Sequence, residues 1–245
     1  MESPMQAEVY LDAIRANATE LVDAAERTTL DAPVPTCPDW TVADLLGHIG
    51  RVHRMAAGNA VRAPEDGFWP GKEIEIPEPA ARAAWVREGA DQLAAVLDRP
   101  SEQPASTFFP PGNVGFWQRR QAHETAMHRV DAQTASGAFT PIDAVLASDG
   151  IDEMFTLINK SPRRKPPTGD GESIHVHCTD VDGEWLARLG PDGMQVERVH
   201  AKGDVAVRGG ASDLLCWLSG RGPVDHVEVI GDAEQLPRWR AITTF

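Results

Sequence analysis

The sequence predicts a helical bundle followed by a smaller α+β domain, and three observations support this fold class. Apolar residues recur at helix spacing over most of residues 1–160. From Ile174 to Cys178 they alternate with polar residues, as in a half-buried strand. Between these regions, residues 161–172 are rich in proline and glycine, which interrupt both kinds of element. We therefore expect a bundle over 1–160, a linker over 161–172 and a second domain over 173–245.

Several amphipathic helices in the first region favour an up-and-down antiparallel bundle. Thr41 followed by Asp44 resembles a capping box that opens the second helix. Gly137 marks the end of the fourth. The helices are expected around Tyr10–Ala25, from Thr41 past Met55, over Ala80–Leu97, over Val114–Ser136, and from Pro141 to before Pro162.

The second region carries turn signals between short strand patterns. Asp182-Gly183 and Asp192-Gly193 predict hairpins and hence a meander. Further elements are expected as a strand at Val205 and Val207, a helix over Ala211–Leu218, a strand over Val227–Ile230 and a terminal helix over Glu234–Ile242.

Composition limits the class of function. The formal net charge of −14 argues against nucleic acid as a partner, because phosphate binding needs a clustered basic surface. No run of about 18 apolar residues predicts a membrane span, and the N-terminus lacks the features of a signal peptide. The three cysteines are far apart and indicate neither a disulfide framework nor a zinc knuckle. These features favour a cytoplasmic protein with no membrane partner, and they leave the oligomeric state open.

The fourth helix carries the most informative segment, HETAMHRVDA. Glu124 and His128 are four residues apart and Asp131 lies seven after Glu124, so all three share one helix face. His123 and His128 are five apart, about 140° around a helix, which does not suit a shared metal. Taken alone, the face is also what a solvated polar surface would show.

A second helix must supply any further metal ligand. His48 is the candidate, because the rest of its stripe is apolar, although a lone histidine in such a stripe is more often a core residue. His48, Glu124 and His128 would form a two-histidine, one-carboxylate site, as in catalytic zinc centres, and other divalent ions also suit this set. His53 should face elsewhere. His175 and His177 share one strand face and could bind a metal fortuitously, but an exposed sheet face is the expected position.

The segment CPDWTVADLLGHIGRVH resembles the C-P-x-W-T-V-x-D-L-L-x-H signature of the mycothiol-dependent maleylpyruvate isomerase family, within the DinB-like metal-binding superfamily. HETAMHRVDA, DGIDEMF and ASDLLCWLSGR also resemble segments of that family. The resemblance covers nearly the whole chain and implies a DinB-like bundle with a small α+β domain.

The resemblance also implies site residues. The metal ligands fall on His48, Glu124 and His128, an acidic residue falls on Asp131, and an arginine at the end of a second-domain helix falls on Arg221. Asp131 would orient His128 or relay a proton, and Arg221 would bind a substrate carboxylate or the thiol cofactor. Each also has a plain alternative, as a helix-surface carboxylate and as a helix C-terminal cation.

The implied function is that of an enzyme, a metal-dependent and mycothiol-dependent isomerase or S-transferase. Its cofactors would be a divalent metal, most readily Zn²⁺, and mycothiol, and its substrate a small electrophile. Two alternatives remain from the residues alone: a metal-dependent hydrolase that activates water, and a non-catalytic metal-binding stress-response protein on the same scaffold. The sequence does not identify the electrophile.

Overall fold

The computed structural model describes residues 5–109, 111–160, 165–221 and 226–244. The chain forms two compact units, Met1–Thr140 and Pro141–Phe245. The division therefore lies before the fifth helix and not in residues 161–172, where proline and glycine placed it. Residues 161–164 lie outside the described part, and residues 165–172 contain neither helix nor strand.

Four helices and a short hairpin build the first unit. In chain order the elements are α1 (Ala7–Ala25), β1 (Pro33–Val34), β2 (Cys37–Thr41), α2 (Val42–Ala60), α3 (Arg82–Leu97) and α4 (Val114–Ser136). Helix α1 packs against α4 and α3, and α2 packs against α3 and α4. This is the helical bundle that the sequence predicts, and its interior contains apolar residues from α1, α2, β1 and α3.

The ends of two bundle helices follow directly from their sequence. The Thr41 hydroxyl accepts a hydrogen bond from the Asp44 backbone N–H at 3.2 Å, and the Asp44 carboxylate accepts one from the Thr41 backbone at 3.0 Å. The capping box is thus confirmed, with aspartate in place of glutamate. Helix α4 ends at Gly137, whose left-handed φ of 69° suits glycine.

The second unit is an α+β arrangement. Its elements are α5 (Ala144–Lys160), β3 (Ser173–Cys178), β4 (Glu184–Gly190), β5 (Gly193–Glu197), β6 (Val205–Gly209), α6 (Ala211–Ser219), β7 (Glu228–Gly231) and α7 (Leu236–Thr243). The five-stranded sheet has the order β5-β4-β3-β6-β7. The two expected hairpins join β3, β4 and β5, whereas β6 crosses over to pair parallel to β3. The meander therefore ends at β5.

Helix α5 packs against α6 and α7, which explains why it belongs to the second unit. Its buried apolar residues include Ile151, Met154 and Phe155. Strand β3 buries Ile174, Val176 and Cys178 on one face. In the described part of the chain, no helix is long and apolar enough to cross a membrane.

Candidate active site

The bundle brings together the three residues proposed as metal ligands. His48 comes from α2, and Glu124 and His128 come from α4. Nε2 of His48 lies 3.5 Å from Oε1 of Glu124, and Nε2 of His128 lies 3.3 Å from the same oxygen. The two imidazole rings are 4.9 Å apart between centroids. The i, i+4 spacing of Glu124 and His128 on α4, together with the inward-facing position of His48 on α2, therefore brings the three side chains together.

Arg120 anchors the carboxylate at this point. Its Nη2 donates to Oε2 of Glu124 at 2.6 Å, one helical turn away on α4. Burial alone would raise the pKa of Glu124, but Arg120 and the two histidines outweigh burial and hold that pKa well below its usual range. Glu124 is therefore ionised, with Oε2 bound by Arg120 and Oε1 turned towards the histidines. Sequence reasoning missed Arg120, although its i, i+4 spacing from Glu124 was a usable signal.

Asp131 binds His128 through Nδ1, the ring nitrogen that does not face Glu124. Its Oδ2 accepts a hydrogen bond from Nδ1 of His128 at 2.8 Å, and its Oδ1 accepts one from the Thr36 hydroxyl at 2.6 Å. The side chain of Asp131 is fully buried, so it is not a helix-surface carboxylate. Burial lowers the pKa of His128, but Asp131 and Glu124 together raise it to about 9. Because Asp131 accepts from Nδ1, the neutral form of His128, which metal binding favours by releasing the Nε2 proton, presents Nε2 for coordination.

An aromatic ring borders the cluster. Trp40, on β2, lies 4.7 Å from the His48 ring and 6.0 Å from the His128 ring, between centroids. Cys37, on the same strand, has its Sγ 4.0 Å from Oδ2 of Asp131. The segment before α2 thus contributes Thr36, Cys37 and Trp40 to the surroundings of the site.

The geometry fits a divalent ion. Donor atoms held 2.0–2.2 Å from zinc at tetrahedral angles lie roughly 3.3–3.5 Å apart. The separations of 3.5 and 3.3 Å between the two Nε2 atoms and Oε1 of Glu124 match this spacing. The ligand atoms of the three residues also lie within 4.8 Å of one another. Two imidazoles and one carboxylate leave further positions on the ion open.

The remaining candidates lie elsewhere. His123 packs edge-on against Tyr10, with 6.2 Å between ring centroids. His53 is buried and contacts Thr125. Arg221 belongs to the second unit, where its backbone N–H donates to the Cys216 carbonyl at 2.8 Å just past the end of α6. Its part in a site stays a prediction.

The fold and this cluster define a class: a two-unit protein whose helical bundle holds a histidine–carboxylate site with a buried aspartate behind one histidine. Residues 11–133 match the family described as the mycothiol maleylpyruvate isomerase N-terminal domain, and residues 145–238 match its C-terminal domain. Together these matches span most of the sequence. The chain therefore belongs to the mycothiol maleylpyruvate isomerase family, and membership places it among mycothiol-dependent isomerases.

Solved structures show the same fold. The chain is similar to the crystal structure of the mycothiol-dependent maleylpyruvate isomerase with a TM-score of 0.66 and 14% identity, covering 92% of this chain and 93% of that one. A histidine-to-alanine mutant of that isomerase matches with a TM-score of 0.65, 14% identity and the same coverage. No curated protein matches the chain. The low identity means that these structures support the fold alone.

Proposed function

We propose that this chain isomerises a small electrophilic substrate with mycothiol, using a divalent ion, most readily zinc, bound by His48, Glu124 and His128. The convergence of two Nε2 atoms and one carboxylate oxygen at zinc-ligand spacing is the observation that carries this proposal. When bound, the ion would favour the thiolate form of a coordinated thiol, which is the nucleophilic form needed to add to a conjugated double bond and then leave.

The residues around the ligands have separate tasks in this proposal. Arg120 keeps Glu124 ionised and fixes its orientation, which leaves Oε1 for the ion. Asp131 positions His128 through Nδ1 and is itself held by Thr36. Trp40 covers the two imidazoles with an apolar ring and limits water at that side. Arg221 is proposed to bind an anionic group of the substrate or of mycothiol through its guanidinium.

The first experiment measures metal content. Purified wild type and a His48→Ala variant are compared by elemental analysis, with His226→Ala, an exposed histidine outside the cluster, as the control. We expect the His48 variant to carry about one zinc fewer per chain than both other proteins, because it loses one of three ligands. Equal metal content in all three would remove His48 from the site.

The same proteins test whether sulfur is the nucleophile. Zinc is replaced by cobalt(II), and mycothiol is added. A sulfur-to-metal charge-transfer band is expected in the wild type and in His226→Ala, and its loss is expected in His48→Ala. Isomerisation of maleylpyruvate should require the thiol in parallel. An unchanged spectrum at saturating mycothiol, or thiol-independent hydrolysis of the substrate, would contradict the proposal in favour of a water-activating or non-catalytic protein.

A further inference from the structure

A second group of metal-ligand side chains lies within the second unit. His175 and His177 alternate along β3 with the buried apolar residues, so they point to the other face of the sheet. Sequence reasoning placed them on an exposed face, but His175 is only 8% exposed. With Glu184 and His200 they form a group whose ligand atoms all lie within 4.8 Å of one another.

The strand register builds this group. His177 on β3 is directly opposite Glu184 on β4, which places the two side chains next to each other on one face. His177 Nδ1 contacts Oε1 of Glu184. His200, from the segment after β5, places Nδ1 2.9 Å from Oε2 of the same carboxylate. His175 places Nε2 3.9 Å from that oxygen.

One buried nitrogen in the group lacks a partner. Nε2 of His175 is buried and has no hydrogen-bond partner within the described ranges. A buried polar atom left in this way costs free energy unless water, an ion or another group satisfies it. Three imidazoles share one carboxylate here, and an ion placed among them would satisfy Nε2 of His175 together with the other donors.

The spacing of the rings suits a shared ion. Three imidazoles bound to one zinc at about 2.0–2.1 Å with tetrahedral angles have ring centroids roughly 5 Å apart. The three histidine rings are separated by 5.5 Å between His175 and His200, 6.0 Å between His175 and His177, and 6.1 Å between His177 and His200. Contraction by about 1 Å through side-chain rotation closes the site. His200 can make this movement because its side chain is 80% exposed.

The neighbouring charges do not prevent cation binding. Arg208 on β6 lies opposite His177 in the parallel register, which places a cation beside the group. Its Nη1 lies 3.7 Å from the Glu228 carboxylate on β7, which offsets that charge. The register partners of His175, which are Leu186 and Ala206, are uncharged.

From this arrangement we propose that His175, His177, Glu184 and His200 bind a second divalent transition-metal ion of the zinc class. Imidazole and carboxylate ligands suit such ions. Four protein ligands complete a tetrahedral shell, which is typical of structural rather than catalytic zinc. The ion would link β3, β4 and the segment between β5 and β6, and its task would be to stabilise this unit.

Zinc alone, added to the metal-stripped full chain, tests this site. Calorimetric titration compares wild type with His200→Ala and Glu184→Gln, and exposed His226→Ala serves as the matched control for His200→Ala. Loss of a residue that merely supports a metal ligand costs about 10–100-fold in affinity, so loss of a ligand should weaken zinc at this site at least about tenfold. Zinc should also raise the Tm of the wild type and of His226→Ala, and raise it less in the two cluster variants.

The experiment tests the His48 site and the His175 site independently of each other. Wild type should bind about two zinc ions, and His48→Ala should keep the ion bound by the His175 group. If His200→Ala and Glu184→Gln both bind zinc as the wild type does, the second site is wrong, whatever happens to His48→Ala. If His48→Ala binds zinc as the wild type does while the cluster variants lose an ion, the proposed function fails and the second site stands.

Discussion

Two histidines on α2, His48 and His53, differ in their burial and in the side chains that they contact. The side chain of His48 is 25% exposed and faces the metal-ligand cluster, whereas His53, five residues later, is fully buried. The Thr125 hydroxyl donates to the Gln121 carbonyl at 2.7 Å, so it accepts from Nε2 of His53 at 3.0 Å. A neutral His53 therefore carries its proton on Nε2. Burial lowers its pKa to about 3.

This shift predicts a pH dependence of stability. The folded pKa of about 3 lies below the ordinary value of 6.5, so the unfolded chain takes up a proton on His53 that the folded chain does not. Stability from the neutral residue is present above pH 6.5 and falls as the pH drops below it. Between pH 7 and pH 5 the wild type should lose about 2 kcal/mol more than His53→Gln, whose amide can still donate to Thr125.

Urea unfolding of both metal-stripped proteins at the two pH values gives the comparison. All other titrating groups are shared by the pair, so their contributions cancel. Equal losses of unfolding free energy in wild type and variant would show that His53 does not set this dependence.

The ends of some helices could be predicted from the sequence, whereas the way these helices pack could not. The start of α2 could be predicted because Thr41 and Asp44 satisfy each other's backbone locally, and the end of α4 because Gly137 adopts a left-handed conformation. Helix α4 is different, since it buries polar side chains such as Gln118, Gln121 and Arg129. The partners of Gln118 and Arg129 come from other segments, as when Arg129 donates to Glu20 at 2.7 Å, so no local pattern reveals which face is inside.

The capping box should make a measurable contribution to the stability of the bundle. Thr41→Ala removes the hydroxyl that accepts from the Asp44 backbone, which should cost about 1 kcal/mol of unfolding free energy. Thr19→Ala is the matched control, because that exposed hydroxyl donates only to the Arg15 carbonyl within α1. Alanine is a better helix former, so the control should be neutral or slightly stabilising. Urea midpoints measure both, and similar losses in the two variants would contradict a special role for Thr41.

For the whole molecule, the fold class was predictable and the division between units was not. In the sequence, the change from helical to strand periodicity of the apolar residues separates the bundle from the sheet. The apolar face of α5, however, suits packing against either the bundle or the second unit. Only the three-dimensional contacts of α5 with α6 and α7 assign it to the second unit. The same limit applies to His200, which reaches Glu184 from 16 residues away and carries no pattern of its own.

Arg221 lies in the second unit, just past the end of α6, and its proposed role in ligand binding can be tested by mutation. In Arg221→Ala, zinc content at the His48 site and unfolding free energy should stay close to the wild type. Affinity for mycothiol or KM for maleylpyruvate should worsen about ten- to a hundredfold, as expected for about 1.5–3 kcal/mol from a charge-assisted hydrogen bond.

Calorimetry with mycothiol and steady-state kinetics provide these values, with Arg15→Ala as a control for the loss of an exposed positive charge. A variant that loses stability while keeping its ligand affinity would identify Arg221 as a residue that only stabilises the end of α6.

The positions of the cysteines determine which thiols of the protein its substrate or cofactor can modify. The proposed reaction brings a reactive electrophile and a small thiol to the protein, which exposes its own cysteines to alkylation or to mixed disulfides. Cys178 and Cys216 are buried, and burial, reinforced by Asp180, raises the pKa of Cys178 to about 12. Because the thiolate is the reactive form, the raised pKa makes Cys178 a poor nucleophile at neutral pH. Self-inactivation would then be confined to Cys37, the half-buried thiol beside Asp131.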